Sequence, residues 1–249
     1  MMTDTFQRPA RVCREVDQLI VGATFAGLGR AMAEPEGSLL VEPSAGVGGE
    51  FIEALNPGCS WDRPHAWPAA EAWRLDLMRR GALTPRGVHL PALVPALAEG
   101  LLASGAATLL LCDVAAVVPA GDGFEVDLVA PDGWRRVRAR RVFDTSTTAL
   151  SLRSAAAPPA PKRLHAALNT MGGGGDGPLP SGEGFRLIAG AFVREAYLSL
   201  DIPADADWPA AREALHAFWT GRPETLKQRG PGVFELPIHR HDFAIIQVE

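Results

Sequence analysis

A polar opening stretch gives way at Gln18-Leu-Ile-Val21 to a short apolar run that stops at Gly22, the pattern of a buried strand closed by a tight turn. Small and apolar residues then recur at helical spacing over 22–33 (GATFAGLGRAMA), until Pro35 and Gly37 end the helix. Ser38-Leu-Leu-Val-Glu42 reads as a second strand. Strand, glycine turn, helix and strand in quick succession make a βαβ unit, whose strands are parallel and whose crossover is right-handed. Residues 42–58 form a glycine-rich loop, and helices are predicted over 68–80 and 90–103, the second weakened by Pro95 and Gly100.

Extended segments with turn signals follow. The first covers 108–118 and closes at Ala120-Gly-Asp-Gly123. The second, 124–129 (FEVDLV), alternates as a half-exposed strand does. Pro131-Asp-Gly133 turns into a third at 134–139, and Arg141-Val-Phe-Asp144 is a fourth run that ends in Thr145-Ser-Thr-Thr148. A Pro/Ala stretch at 154–162 reads as a linker or surface loop, and 172–177 (GGGGDG) as a flexible tip. Residues 185–200 are apolar enough for two strands, 209–219 for a helix started by Asp207, and 234–248 are strand-like.

Composition narrows the function. The chain has 249 residues, 47% apolar and 21% charged, the balance of a soluble globular protein with a substantial core. A net charge of −5 without a basic tract argues against nucleic acid and anionic membrane as partners. The N-terminal stretch lacks the apolar core of a signal peptide, and the longest apolar runs (92–98 and 106–112) are well short of the roughly 20 residues of a membrane span. Cys13, Cys59 and Cys112 form no CxxC pair, so neither a zinc ribbon nor a disulfide framework is indicated and no metal site is expected. The cysteines read as reduced thiols, and the expected location is cytoplasmic.

The turn at 22–27 carries the first candidate chemistry. A dinucleotide site needs a glycine where strand meets helix, a small residue where backbone approaches the pyrophosphate, and another where helix packs on strand. The helix N-terminus then offers N–H groups and a positive dipole end to phosphate. Here the frame is Gly22-Ala23-Thr24-Phe25-Ala26-Gly27, with Thr24 where the second glycine belongs. Its β-branched side chain would stand near the pyrophosphate, where its hydroxyl can bond a phosphate oxygen. Glu42, 20 residues after Gly22, sits where a carboxylate accepts ribose hydroxyl protons and repels a 2′-phosphate; the alternative is a solvated glutamate at a strand end.

These stretches resemble the FAD-dependent oxidoreductases with a glutathione-reductase-like, Rossmann-type domain. The resemblance runs over about residues 16–148, through DQLIVGATFAGLGRAMA (17–33), LLVEPSAGVGGEF (39–51), residues 90–118 and RARRVFDTSTT (138–148). It implies FAD as cofactor, with Gly48 and Gly49 lining the phosphate and ribityl region and backbone at Val114 holding adenine. Asp144-Thr145-Ser146-Thr147 matches the family's acidic strand-end motif, placing Thr145 beside the cofactor. This chain departs from the pattern at Thr24, in the glycine missing from that strand-end motif, and in the absent late Gly-Asp element. The departures leave open a site completed by a protein partner or a second copy of the chain.

The expected fold is α/β: a Rossmann-type parallel sheet with a three-stranded β-meander crossover over residues 1–150, and a smaller α+β substrate region over 151–249. The expected function is FAD-dependent oxidation or reduction of a small organic substrate. Its rivals are a non-catalytic nucleotide-binding or assembly protein on the same scaffold, and a nicotinamide dehydrogenase, which the meander disfavours. On the substrate side, His239 and His241 share one side of a strand and suit proton transfer, or are ordinary polar groups on an exposed strand. His65, in Trp61-Asp-Arg-Pro-His65-Ala-Trp67, borders a substrate cavity by position, or belongs to a loop whose tryptophans cap a core.

Overall fold

Strand β1 (Arg14–Val21) buries Leu19, Ile20 and Val21 completely, turns at Gly22 into helix α1 (Phe25–Ala33), and returns as β2 (Ser38–Val41). β2 runs parallel to β1, in register from Gln18↔Ser38 to Val21↔Val41, and α1 packs against both. Gln18 ties the far end together: its amide donates to Ser38 Oγ at 2.6 Å and accepts from Arg30 Nε at 2.9 Å, so the last turn of α1 is bonded to both strands.

Next come α2 (Pro68–Arg79), β3 (Leu83–Thr84), β4 (Gly87–Val88), a 3-10 turn (Leu90–Ala92) and α3 (Leu93–Ser104). The helix expected over 90–103 thus opens as a 3-10 turn, a geometry that tolerates Pro91. After α3 come β5 (Ala107–Leu109), β6 (Asp113–Ala120), β7 (Gly123–Ala130) and β8 (Gly133–Asp144). Later elements are β9 (Lys162–Met171), β10 (Ser181–Gly182), β11 (Phe185–Ala189), β12 (Glu195–Ile202), α4 (Trp208–Thr220), α5 (Glu224–Lys227), β13 (Val233–Glu235) and β14 (Ile246–Val248). This computed structural model describes residues 14–146, 162–171, 179–227, 233–235 and 246–248. Cys13, the glycine tip at 172–177, and Thr147, Thr148, His239 and His241 lie outside the described residues.

The chain divides into two units, each drawn from two stretches: Met1–Gly49 with Pro95–Ala156, and Glu50–Val94 with Ala157–Glu249. The sequence reading drew one boundary, at 150; the units place 50–94 with the later part of the chain.

Unit 1 is built on a six-stranded sheet of order β5-β2-β1-β8-β7-β6, in which β5, β2, β1 and β8 are parallel and β8-β7-β6 is an antiparallel meander. This is the expected α/β architecture. Two strand limits differ from the sequence reading. The run 108–118 is two strands broken at Leu110–Cys112, where Leu111 takes φ +54. The runs 134–139 and 141–144 are one 12-residue strand, β8. Arginines do not stop a strand as glycine or proline would, and β8 uses 133–139 against β7 and 137–144 against β1. Facing Asp127 and Arg136 hold the meander's register through two bonds of 2.7 and 3.1 Å. A core of Leu19, Val21, Leu39 and Val41 from the parallel strands packs with Val114, Val126, Leu128 and Val137 from the meander.

Unit 2 carries an antiparallel sheet of order β10-β11-β12-β9-β13, with β14 also paired to β9. Its interior strand β9 begins at Lys162, the last residue of the Pro/Ala stretch. The consecutive Ala166 and Ala167 give little hydrophobic contrast between its two faces. One face is apolar: Leu164, Ala166 and Leu168 of β9 and Leu198 and Leu200 of β12 cluster with Ala211, and Leu215 and Phe218 of α4 pack against them. Asp207 caps α4 by accepting from Ala210 N at 2.9 Å, as the sequence predicts. The opposite face carries polar side chains in cross-strand rows. Arg186, Ser199 and His165 form one row, and in the next Tyr197 stands between Ile188 and Ala167.

His165 is completely buried, and neither ring nitrogen has a hydrogen-bond partner among the described residues. Burial, with Arg186 and Arg163 nearby, holds its imidazole down at about 4 against an ordinary value of 6.5. A folded pKa below the unfolded one means that the unfolded chain takes up the proton first, so stability falls as pH drops from 6.5 toward 4. The expected loss is roughly 3 kcal/mol. Urea midpoints at neutral and mildly acidic pH should show it in the wild type, and His165→Leu should lack that component.

Candidate functional site

The glycine turn of unit 1 is shaped by the strand end behind it. The Thr145 N–H donates to Val21 O at 2.8 Å, and its hydroxyl lies 3.0 Å from Val21 O and 2.9 Å from Gly22 O. Gly22 adopts φ +94, and a Cβ there would lie 2.8 Å from the Ser146 backbone. A Cβ on Gly27 would overlap the Gly22 carbonyl and sit 2.6 Å from the Thr145 hydroxyl. Both positions require glycine because helix, turn and β8 meet without side-chain space. Thr145 is thereby a positioning residue for the turn.

Thr24 occupies the N-cap of α1 in an extended conformation, and its Oγ1 accepts from Gly27 N at 3.1 Å. The residue in the second glycine's place therefore satisfies one of the helix's first N–H groups, while its own hydroxyl proton remains a donor. Phe25 and exposed Ala26 follow in the first helical turn, and Ala23 is buried.

Glu42 lies half-buried directly after β2. Its Oε2 accepts from Ala23 N at 2.7 Å and its Oε1 from Ser44 N at 2.9 Å. The carboxylate is thus fixed at the mouth of the turn, with one further lone pair on each oxygen for an incoming hydroxyl. Gly48, buried at φ +71, donates its N–H to Ala23 O at 2.7 Å, bringing the loop containing Gly49 back to the same turn. Beyond β5 the chain is bonded to this loop as well: Leu111 N donates to Ser44 O and Cys112 N to Glu42 O, at 3.0 and 2.9 Å. Val114 is only 2% exposed and sits in the core. The structure brings Gly22 to Gly27, Glu42, Gly48 and Thr145 together.

In unit 2, His65 stands exposed before α2, and its peptide N–H, rather than its ring, donates to Glu71 Oε2 at 2.9 Å. Arg74 grips the same carboxylate at 2.7 and 2.8 Å and, with the His65 peptide, holds it far below the usual carboxylate range. Trp61 packs edge-on to Phe51 at 5.6 Å and donates its indole N–H to Pro57 O. This loop is tied within itself.

A cluster that sequence reasoning missed lies elsewhere in unit 2. His89 Nδ1 is 2.8 Å from Glu195 Oε1, Tyr197 OH donates to the same oxygen, and Leu90 N donates to Tyr197 OH at 3.2 Å. Burial, then the Glu195 bond, push the Tyr197 phenol up, so it stays protonated. Glu195 and Tyr197 are two apart on one strand, and that alternation was the available signal; nothing local joins them to His89, 106 residues from Glu195.

No family model matches the chain, and no curated protein matches it by sequence. Its fold is found in solved structures. The myxobacterial chondrochloren halogenase, a variant of FAD-dependent halogenases, matches with a TM-score of 0.64 at 14% identity over 95% of this chain and 64% of that one. p-Nitrophenol 4-monooxygenase from Pseudomonas putida DLL-E4 matches at 0.55 and 14%, over 89% and 66%. Aklavinone-11 hydroxylase, solved with FAD and aklavinone, matches at 0.53 and 16%, over 88% and 52%. The chain spans about half to two thirds of the length of these proteins.

Removing the cap should cost the turn its order. Thr24→Ala is expected to destabilise by about 1 kcal/mol and Thr24→Gly by only a few tenths, whereas Gly27→Ala, which meets backbone, should cost more than either. Denaturant midpoints of the three variants check this ranking.

Proposed function

We propose that unit 1 binds FAD and that the chain is an FAD-dependent oxidoreductase acting on a small organic substrate, of the monooxygenase or halogenase kind. The observation that carries this reading is the Glu42 carboxylate, bonded to the Ala23 amide at 2.7 Å and so held at the mouth of the glycine turn. The residues present suit an adenosine diphosphate moiety. Glu42 would accept the ribose hydroxyls, the Thr24 hydroxyl proton and the N-terminus of α1 would meet the pyrophosphate, and the loop at Gly48 and Gly49 would pass close to the ribityl chain. Val114 and Thr145 would contribute backbone and support. When bound, the flavin supplies the two-electron redox chemistry; the protein contributes binding, orientation and exclusion of water. Support comes also from the fold shared with two FAD enzymes that act on small molecules.

One observation favours a second reading, a nucleotide-free scaffold. Thr24 already satisfies the Gly27 N–H from inside the turn, as it would if no phosphate came.

The absorption spectrum of the purified protein separates the two. A flavin band, with FAD released on denaturation, is expected; a colourless protein that also leaves added FAD unbound supports the scaffold. In the FAD-binding case Glu42→Ala should weaken FAD affinity about tenfold or more, equivalent to about 1.4 kcal/mol, by titration calorimetry. Unchanged affinity removes Glu42 from the site.

A further inference from the structure

The segment 84–90 is joined to 191–197 by a series of bonds within unit 2. Thr84 Oγ1 donates to Ala191 O at 3.3 Å, Arg86 Nη2 lies 3.4 Å from Val193 O, and Leu90 N donates to Tyr197 OH. Neutral pairs such as Thr84 with Ala191 and Leu90 with Tyr197 suffice to hold two loops together. The Glu195 carboxylate among them needs another reason, because a charge in a buried place costs free energy that a neutral pin avoids. Its side chain is only 12% exposed.

The hydrogen-bond directions fix the protonation pattern. Tyr197 OH accepts from Leu90 N–H, so its proton goes to Glu195 Oε1. Glu195 Oε2 lies 3.4 Å from the Phe192 N–H. A carboxylate that only accepts calls for a proton on His89 Nδ1, and in the neutral ring this makes Nε2 the proton-accepting nitrogen. No described residue hydrogen-bonds to Nε2, and the ring is 31% exposed. Space for this arrangement is reserved by Gly190, where a Cβ would overlap the Glu195 carboxylate. Beside the imidazole, the Phe192 ring packs edge-on at 4.9 Å, and Phe192 and Val193 stay about half exposed, an apolar rim around a single proton acceptor.

We propose that His89 is a proton-accepting site for a weakly acidic hydroxyl of a ligand bound against Phe192 and Val193, with Glu195 and Tyr197 as its positioning residues. The ligand's O–H bond breaks, the Nε2–H bond forms, the electron pair stays on the ligand oxygen, and the imidazolium charge faces Glu195. The other ionisable groups on the packed segments are Arg86, whose guanidinium is engaged at Val193 O, the exposed Arg194, and Tyr197, which keeps its proton. This deepens the functional reading above by naming the group on the substrate, yet the site stands on unit 2 alone.

p-Nitrophenol is a suitable probe, because its ionised form absorbs in the visible and its neutral form does not. Titrated into the full chain as purified, below the probe's own ionisation and read as difference spectra, it should ionise saturably. The expected ratio of ionised to neutral probe at saturation is about tenfold that of the free probe. His89→Gln, shown folded by circular dichroism, should return the ratio to that of free probe. Glu195→Gln should give an intermediate ratio and move its pH midpoint upward. Nitrogen chemical shifts of His89 in the wild-type chain should report protonation on probe binding, whatever the variants' stability. A wild-type chain that leaves the probe neutral, a His89→Gln chain that ionises it equally, or an unchanged His89 shift overturns the proposal. FAD content measured on the same samples keeps the two readings apart: an FAD-free chain that ionises the probe through His89 sinks only the cofactor assignment.

Discussion

The end of β8 presses on the first turn of the chain with no side-chain space to spare. Thr145 spends its hydroxyl on two carbonyls of that turn, and the Ser146 backbone closes on Gly22. Glycine at 22 and 27 is the only way for strand, turn and helix to share this volume. The rest of unit 1 follows from the junction. α1 starts at a fixed angle, its cap is set by Thr24, β2 returns beside β1, and Glu42 arrives where it can bond the Ala23 amide. Removing the close approach would loosen the strand crossing and the candidate nucleotide site together, since both use the same few peptide groups.

Unit 2 solves a different problem. Its sheet has one apolar face filled by α4 and one polar face that is nevertheless buried at His165, Tyr197 and Ser199. Buried polar groups are costly unless bonded. Tyr197 answers this with Glu195 and the Leu90 amide, whereas His165 answers it by staying neutral. Two histidines on the same unit therefore differ in kind: one is sealed from water and proton-poor, the other half-exposed and backed by a carboxylate. Gly87 and Gly190 make the second possible, because backbone or carboxylate fills the place of each absent side chain.

What the sequence by itself determined was local. Periodicity and turn residues predicted the opening βαβ unit, α2, α4 with its Asp207 cap, and the Gly22, Gly27 and Glu42 spacing, since each depends on residues within one short contiguous stretch. It misjudged elements whose limits are set by partners. β8 reads through Arg140 because β7 takes one end of it and β1 the other, and the weakly patterned β9 is a strand because β12 pairs along it. Only the tertiary structure decided that Thr145 supports the turn, and that His89 meets Glu195 and Tyr197 across more than a hundred residues. Hydrophobic patterning says which side of an element is covered. It carries no information on which distant side chain does the covering, and the candidate chemistry in unit 2 rests on such pairings.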